Sequence, residues 1–122
     1  RNIRPDGYFL LSIPTHEIRY LLEIDRSTED NPRFFREKIL PGLAYIKTTA
    51  YKERFGHGSG RWLVVTTGET RLGNMLRQAR QANTKGIFYF TTYDQLSPQT
   101  ILHDPIWRRA DREEQVPLVF LD

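Results

Sequence analysis

The sequence predicts an α/β fold: a mixed central sheet with an N-terminal β-hairpin and flanking helices. Three observations predict it. Two aromatic- and aliphatic-rich segments, 6–13 and 18–26, are separated only by turn residues. Two continuous apolar runs, 62–67 and 87–92, have the length and composition of strands buried on both faces. Between these runs lie segments with helical spacing, and strands alternating with helices give a layered sheet.

Each element has its own local cause. In the hairpin, Pro14, Thr15, His16 and Glu17 form the turn. Asn31-Pro32 supplies an N-cap followed by proline at the first helical position. Phe35, Ile39, Leu43, Ile46 and Ala50 then recur every three or four residues, marking one face of a helix that runs to about residue 55. Pro41-Gly42 interrupts that pattern and predicts a kink or two stacked helices. A glycine-rich connector, 56–60, leads into the strand 62–67. Gly68 ends that strand, 69–82 reads as a second helix, and a short last strand is expected at Val116–Leu121.

A chain of 122 residues holds one core, so a single domain spanning 1–122 is expected. With no cysteine, disulfide scaffolds, thiolate zinc sites and thiol nucleophiles are excluded. No apolar run approaches the roughly 20 residues of a membrane helix, so no membrane partner is expected and a cytoplasmic location is. The net charge of +3 is unevenly distributed. Segment 26–55 carries seven basic residues against four acidic ones, and 69–85 carries four against one. Segment 1–25 has a local excess of one negative charge. An acidic centre flanked by basic helices suits a phosphodiester, with cations for the backbone and carboxylates for a metal. Solvated helix faces would give the same pattern.

The acidic cluster is Asp6 with Glu23 and Asp25. Glu23 and Asp25 stand two apart on a strand and leave the same face. A hairpin loop of four residues at 14–17, or of two at 15–16, sets Asp6 opposite Asp25 and diagonal to Glu23. Three carboxylates this close repel one another, and a cation relieves the repulsion. Oxygen ligands without cysteine or paired histidine favour Mg²⁺ or Mn²⁺. The competing reading pairs these acids with Arg4, Arg19 and Arg26.

Pro5-Asp6, a hairpin turn and Glu23-x-Asp25 together resemble the Pro-Asp…(Asp/Glu)-x-Lys arrangement of restriction-endonuclease-like nucleases. More specifically, the chain resembles the plasmid replication-relaxation family. The stretches that carry this resemblance are Arg4–Phe9, Leu22–Glu29, Lys38–Leu40, Val64–Gly68 and Pro105–Trp107. The resemblance implies a restriction-endonuclease-like core that follows an N-terminal winged-helix region in a longer chain. It also implies DNA as partner, with a second copy of the chain left open. Asp6 matches the first metal-binding Asp, and Glu23 matches the acidic residue of the second strand. Asp25 stands where the motif has Lys, so Lys38, from the following helix, is the candidate to replace it. The catalytic set implied is Asp6, Glu23, Asp25 and Lys38, with the three acids as metal ligands. The implied function is metal-dependent cleavage or nicking of DNA in plasmid replication or transfer. The loss of the motif lysine leaves open a non-cutting DNA-binding or protein-interaction module.

Other signals are weaker. Thr66-Thr67-Gly68-Glu69 falls at a strand-to-helix junction, where ordinary helix capping is expected ahead of phosphate binding. His16, His57 and His103 are too dispersed to form a metal site. Tyr8, Tyr45, Tyr51, Phe88, Tyr89 and Phe90 are expected in the core rather than as base-stacking platforms.

Overall fold

The computed structural model describes residues 5–14, 16–26, 31–55 and 60–119. It is a mixed α/β fold built on a five-stranded sheet whose spatial order follows the chain. Strands β1 (Gly7–Ile13) and β2 (His16–Ile24) form the antiparallel hairpin. Strands β3 (Arg61–Thr66) and β4 (Phe88–Thr92) add in parallel, and β5 (Arg108–Arg109) closes the sheet antiparallel to β4. The helical elements between β2 and β3 are α1 (Asn31–Phe34), a π-helical turn (Phe35–Ile39), α2 (Leu40–Ile46) and α3 (Thr49–Phe55). Helix α4 (Glu69–Gln81) connects β3 to β4.

Two consecutive parallel crossovers that step the same way across a sheet, both right-handed, place their helices on one face. The core divides accordingly. Leu21, Trp62, Val64, Phe88 and Phe90 point to the helix side and pack with Phe34, Ile39, Leu72 and Met75. The alternate residues, Tyr20, Leu63, Val65 and Tyr89, point to the other side, where Ile106, Trp107, Val116 and Leu118 cover them. The C-terminal segment is therefore the sheet's second layer although it is almost devoid of regular structure. Both tryptophans satisfy their indole N–H within the core. Trp62 Nε1 donates to the Gly42 carbonyl and Trp107 Nε1 to that of Ile101, each at 3.0 Å.

The helical region departs from the sequence pattern in an informative way. The expected break at Pro41-Gly42 does not fall there. Pro41 lies in the first turn of α2, within a helical run that is unbroken from 31 to 46, and the ladder widens into the π-helical turn immediately before it. The chain then breaks at Lys47 and Thr48. There the Thr48 hydroxyl donates to the Tyr45 carbonyl at 2.7 Å and accepts the Tyr51 N–H at 3.1 Å, capping α3. Gly42 is required by close approach: a Cβ there would lie 3.1 Å from Trp62 Nε1 and 3.2 Å from Phe88.

The expected strand at Val116–Leu121 is reduced to a bridge between Trp107 and Val116, while the sheet gains the short β5 instead. Residues 120 and 121 of that expected strand lie outside the described residues, as does His57. Tyr8 also departs from expectation. It is 53% exposed on the edge strand β1, covered by cationic side chains rather than by the apolar core. The Arg19 and Arg54 guanidinium groups lie over its ring, each 5.7 Å from the centroid. Among the described residues, no helix is long and apolar enough to cross a membrane.

Candidate functional site

The parallel strands carry polar residues at their C-terminal ends on the helix side, where the connections to the helices begin. The hairpin connection sits earlier in the chain than either loop the sequence suggests. Ile13 pairs with His16, and the register runs to Gly7 opposite Leu22. One further step sets Asp6 opposite Glu23 rather than Asp25, which corrects the expected register by two residues while keeping all three acids on one face. The Asp6 N–H donates to the Leu22 carbonyl at 2.8 Å, and Asp6 Oδ2 accepts the Ile24 N–H at 2.7 Å. One carboxylate oxygen of Asp6 thereby fastens the open end of the hairpin.

Asp25 is buried, at 5% exposure, and its carboxylate is enclosed by donors. Arg71, from the first turn of α4, donates from Nε to Oδ2 at 2.6 Å and from Nη2 to Oδ1 at 3.0 Å. The Thr66 hydroxyl at the end of β3 donates to Oδ2 at 2.6 Å. The Asp25 backbone is held equally well: its N–H donates to Val65 O at 2.8 Å and its carbonyl accepts the Tyr93 hydroxyl at 2.9 Å. A buried carboxylate needs such a shell, and a fork-to-fork arginine pair is its strongest form. Asp25 is a structural latch that ties β2 to β3 and α4. This corrects its expected place among the metal ligands, and the expected three-acid ligand set does not assemble. Among the described residues, no group of three or more histidine, aspartate and glutamate side chains is placed to hold a metal ion.

Glu23, two residues earlier, has a different environment. Its partner is Lys38 of the π-helical turn, with Nζ 3.3 Å from Oε2. The Glu23 side chain is 12% exposed and that of Lys38 40%, so this pair lies at the rim of the sheet and meets solvent. The widened helical turn before Pro41 carries Lys38 on the side of the sheet where Glu23 emerges. Asp6, Glu23 and Lys38 are therefore the expected site residues that lie together, and Asp25 is separated from them by its commitment to Arg71.

Thr66 and Arg71 were not singled out by the sequence reading as partners of Asp25, which considered Arg4, Arg19 and Arg26. The signal was nonetheless present. If β2 and β3 run parallel, the first turn of the helix after β3 lies beside the end of β2, and Arg71 is the first cation of that helix. The junction after Thr66 is also not the side-chain-capped terminus expected. Gly68 is the N-cap of α4 with no side-chain capping bond, while the Thr66 hydroxyl serves Asp25.

A Mg²⁺ or Mn²⁺ ion binds through one or two carboxylates and otherwise keeps its waters. Asp6, which is exposed, and Glu23, whose side chain is 12% exposed, could supply such carboxylates, whereas that of Asp25 is enclosed by donors. The fold and this corner define a mixed α/β protein with an acidic, lysine-bearing rim at the end of a parallel strand. No family model matches the chain, and no curated protein and no solved structure matches it.

Proposed function

We propose that this is a DNA-acting domain that cleaves or nicks a phosphodiester with the help of a divalent cation, using Asp6, Glu23 and Lys38. The observation that carries the reading is the Lys38–Glu23 pair at 3.3 Å. It puts an ammonium group beside the acid that the nuclease resemblance makes a metal ligand, although the motif position itself holds Asp25. A role in plasmid replication or transfer belongs to the same resemblance and to the same proposal.

In this reading Asp6 and Glu23 hold the cation, which when bound lowers the pKa of an attacking water and offsets charge developing on phosphorus. Lys38 donates a hydrogen bond to the scissile phosphate or to the water, orienting the in-line attack. Glu23 keeps the Lys38 ammonium in position before substrate arrives. Asp25 and Arg71 touch neither water nor phosphate; they hold the end of β2 rigid so that Glu23 emerges at a fixed angle. The basic segment 26–55 supplies cations for the DNA backbone.

The test is cleavage of plasmid and oligonucleotide DNA with Mg²⁺ or Mn²⁺ by the wild type, Asp6→Asn, Glu23→Gln and Lys38→Met. The reading expects metal-dependent cleavage that falls about 100-fold or more in each variant. Wild-type protein that leaves all these substrates intact with either metal would overturn it. One observation favours a second reading: the third acid is locked to Arg71. A non-cutting DNA-binding module would show salt-sensitive binding that EDTA leaves unchanged.

A further inference from the structure

At the opposite end of α4 from Arg71 lies a cleft of about 470 Å³, formed by the last turn of the helix and the turn that follows β5. Arg80, Arg108 and Arg112 line it together with Asp111 and Glu113. A smaller adjoining cavity of about 150 Å³ extends it to Lys85. Arg71 and Arg80 are nine residues apart, which is about 14 Å along a helix axis. The cleft is therefore separate from the Asp6–Glu23–Lys38 corner, and the inference does not depend on the function proposed there.

Three arginines against Asp111 and Glu113 leave the lining one positive charge in excess. Asp111 is fully engaged by Arg109, whose Nε and Nη2 reach its two carboxylate oxygens at 2.8 and 2.6 Å. That pairing neutralises one of the two lining acids. Glu114 lies 3.9 Å from Arg112, too long for a hydrogen bond, on an exposed pair. Arg80 is fixed by the main chain, donating from Nε to the Ala110 carbonyl at 3.2 Å and from Nη2 to the Arg112 carbonyl at 3.3 Å. A carbonyl does not neutralise a guanidinium, so its positive charge remains.

Arg108 is the most telling group. It stands opposite Phe90 in the β4–β5 pair and so shares the helix side with α4. Its Nε is buried and has no hydrogen-bond partner among the described residues. A buried donor left without an acceptor costs roughly 1–3 kcal/mol, more for a charged group, and native structures rarely retain one without a use. The missing partner is an acceptor, and the surrounding excess of guanidinium groups makes an anion the favoured one. Planar guanidinium forks match tetrahedral oxyanions bidentately.

We propose that this cleft is a phosphate-binding site, with Arg108 as the principal donor and Arg112 and Arg80 supplying charge around it. Its ligand is a phosphate group, carried either by a nucleic-acid backbone or as a free or terminal phosphate.

The experiment titrates inorganic phosphate, at ionic strength held constant with sodium chloride, into ¹⁵N-labelled full chain and follows amide shifts. Saturable shifts confined to the neighbourhood of Arg80 and residues 108–113 are expected, with affinity lowered at least tenfold in both Arg108→Gln and Arg112→Gln. Arg112 is half exposed, so its variant keeps a readout if Arg108→Gln fails to fold. A parallel titration with the dinucleotide d(TpT), which carries only a diester, separates the sources. Saturation by both probes assigns the site to a backbone phosphate; saturation by inorganic phosphate alone assigns it to a free or terminal one. Shifts that stay linear for both probes, that spread over all basic surfaces, or that are unchanged in Arg112→Gln would overturn the proposal.

Discussion

Glu23 and Asp25 leave the same face of the same strand end, two residues apart, yet they belong to opposite kinds of environment. Asp25 meets the first turn of α4 and is enclosed by Arg71 and Thr66. Glu23 meets the π-helical turn and pairs with Lys38 toward the solvent rim. The difference comes from which helix covers each residue. Where α4 begins beside the strand end, a planar arginine fork reaches the carboxylate with two hydrogen bonds and helps to enclose it. Where the irregular helical turn passes, a long and half-exposed lysine arrives instead. The comparison teaches that a cluster of acids on one strand is not one site: coverage by the next layer divides it into a structural half and an accessible half.

The largest effect should come from breaking the structural half. Arg71→Ala leaves the buried Asp25 carboxylate without its guanidinium and should lower stability by about 3–5 kcal/mol in urea unfolding. A loss below about 1 kcal/mol would show that Asp25 is no more committed than Glu23, and the comparison would fail. At the accessible half, Lys38→Met should change stability by less than about 1 kcal/mol, as expected for a rim ion pair. The same variant should abolish most of any metal-dependent cleavage. The two variants thus separate opposite profiles: stability without direct chemistry for Arg71, chemistry without stability for Lys38.

The smallest effect uses a third acid to sharpen the contrast. Asp111 is also chelated by an arginine fork, from Arg109, but at the surface. The hydrogen bonds from Arg109 hold its carboxyl below the usual carboxylate range. A depressed folded-state value means that its contribution is fully present above the unfolded value near pH 4 and is lost as pH falls through the folded value. Asp111→Asn should therefore lower stability slightly at pH 7, with the difference from wild type vanishing as pH falls, which flattens the acid limb. A change at pH 7 as large as that of Arg71→Ala would mean that burial is not what distinguishes the two forks.

Much of the architecture was legible because the physics is local. The apolar runs at 62–67 and 87–92 gave β3 and β4 nearly to the residue, and the helical spacing after Gly68 gave α4. The hairpin was legible too, but not its register, since the observed pairing of Ile13 with His16 and both loops the sequence suggests preserve the same facing and differ only in which acids oppose. Arg71, 46 residues from Asp25 in the chain, was legible only through a long-range pairing and not from local pattern. That pairing is the parallel one of β2 with β3. The C-terminal layer was the least visible. Leu96, Ile101, Ile106 and Trp107 cover a whole sheet face from turns and bends, and such a segment has no periodicity to announce its burial. Tyr8 was misplaced for the complementary reason: an edge strand can have a strand's composition without the apolar core covering each of its residues.

The central claim is that Asp6 and Glu23, not Asp25, form the cation-holding rim. Calorimetric titration of Mn²⁺ into the full chain addresses it most directly, comparing the wild type with Glu23→Gln and with Asp25→Asn, each checked for folding by circular dichroism. The account predicts a single saturable Mn²⁺ site that disappears in Glu23→Gln and persists in folded Asp25→Asn. Absence of binding by the wild type, or binding that survives Glu23→Gln, would contradict it.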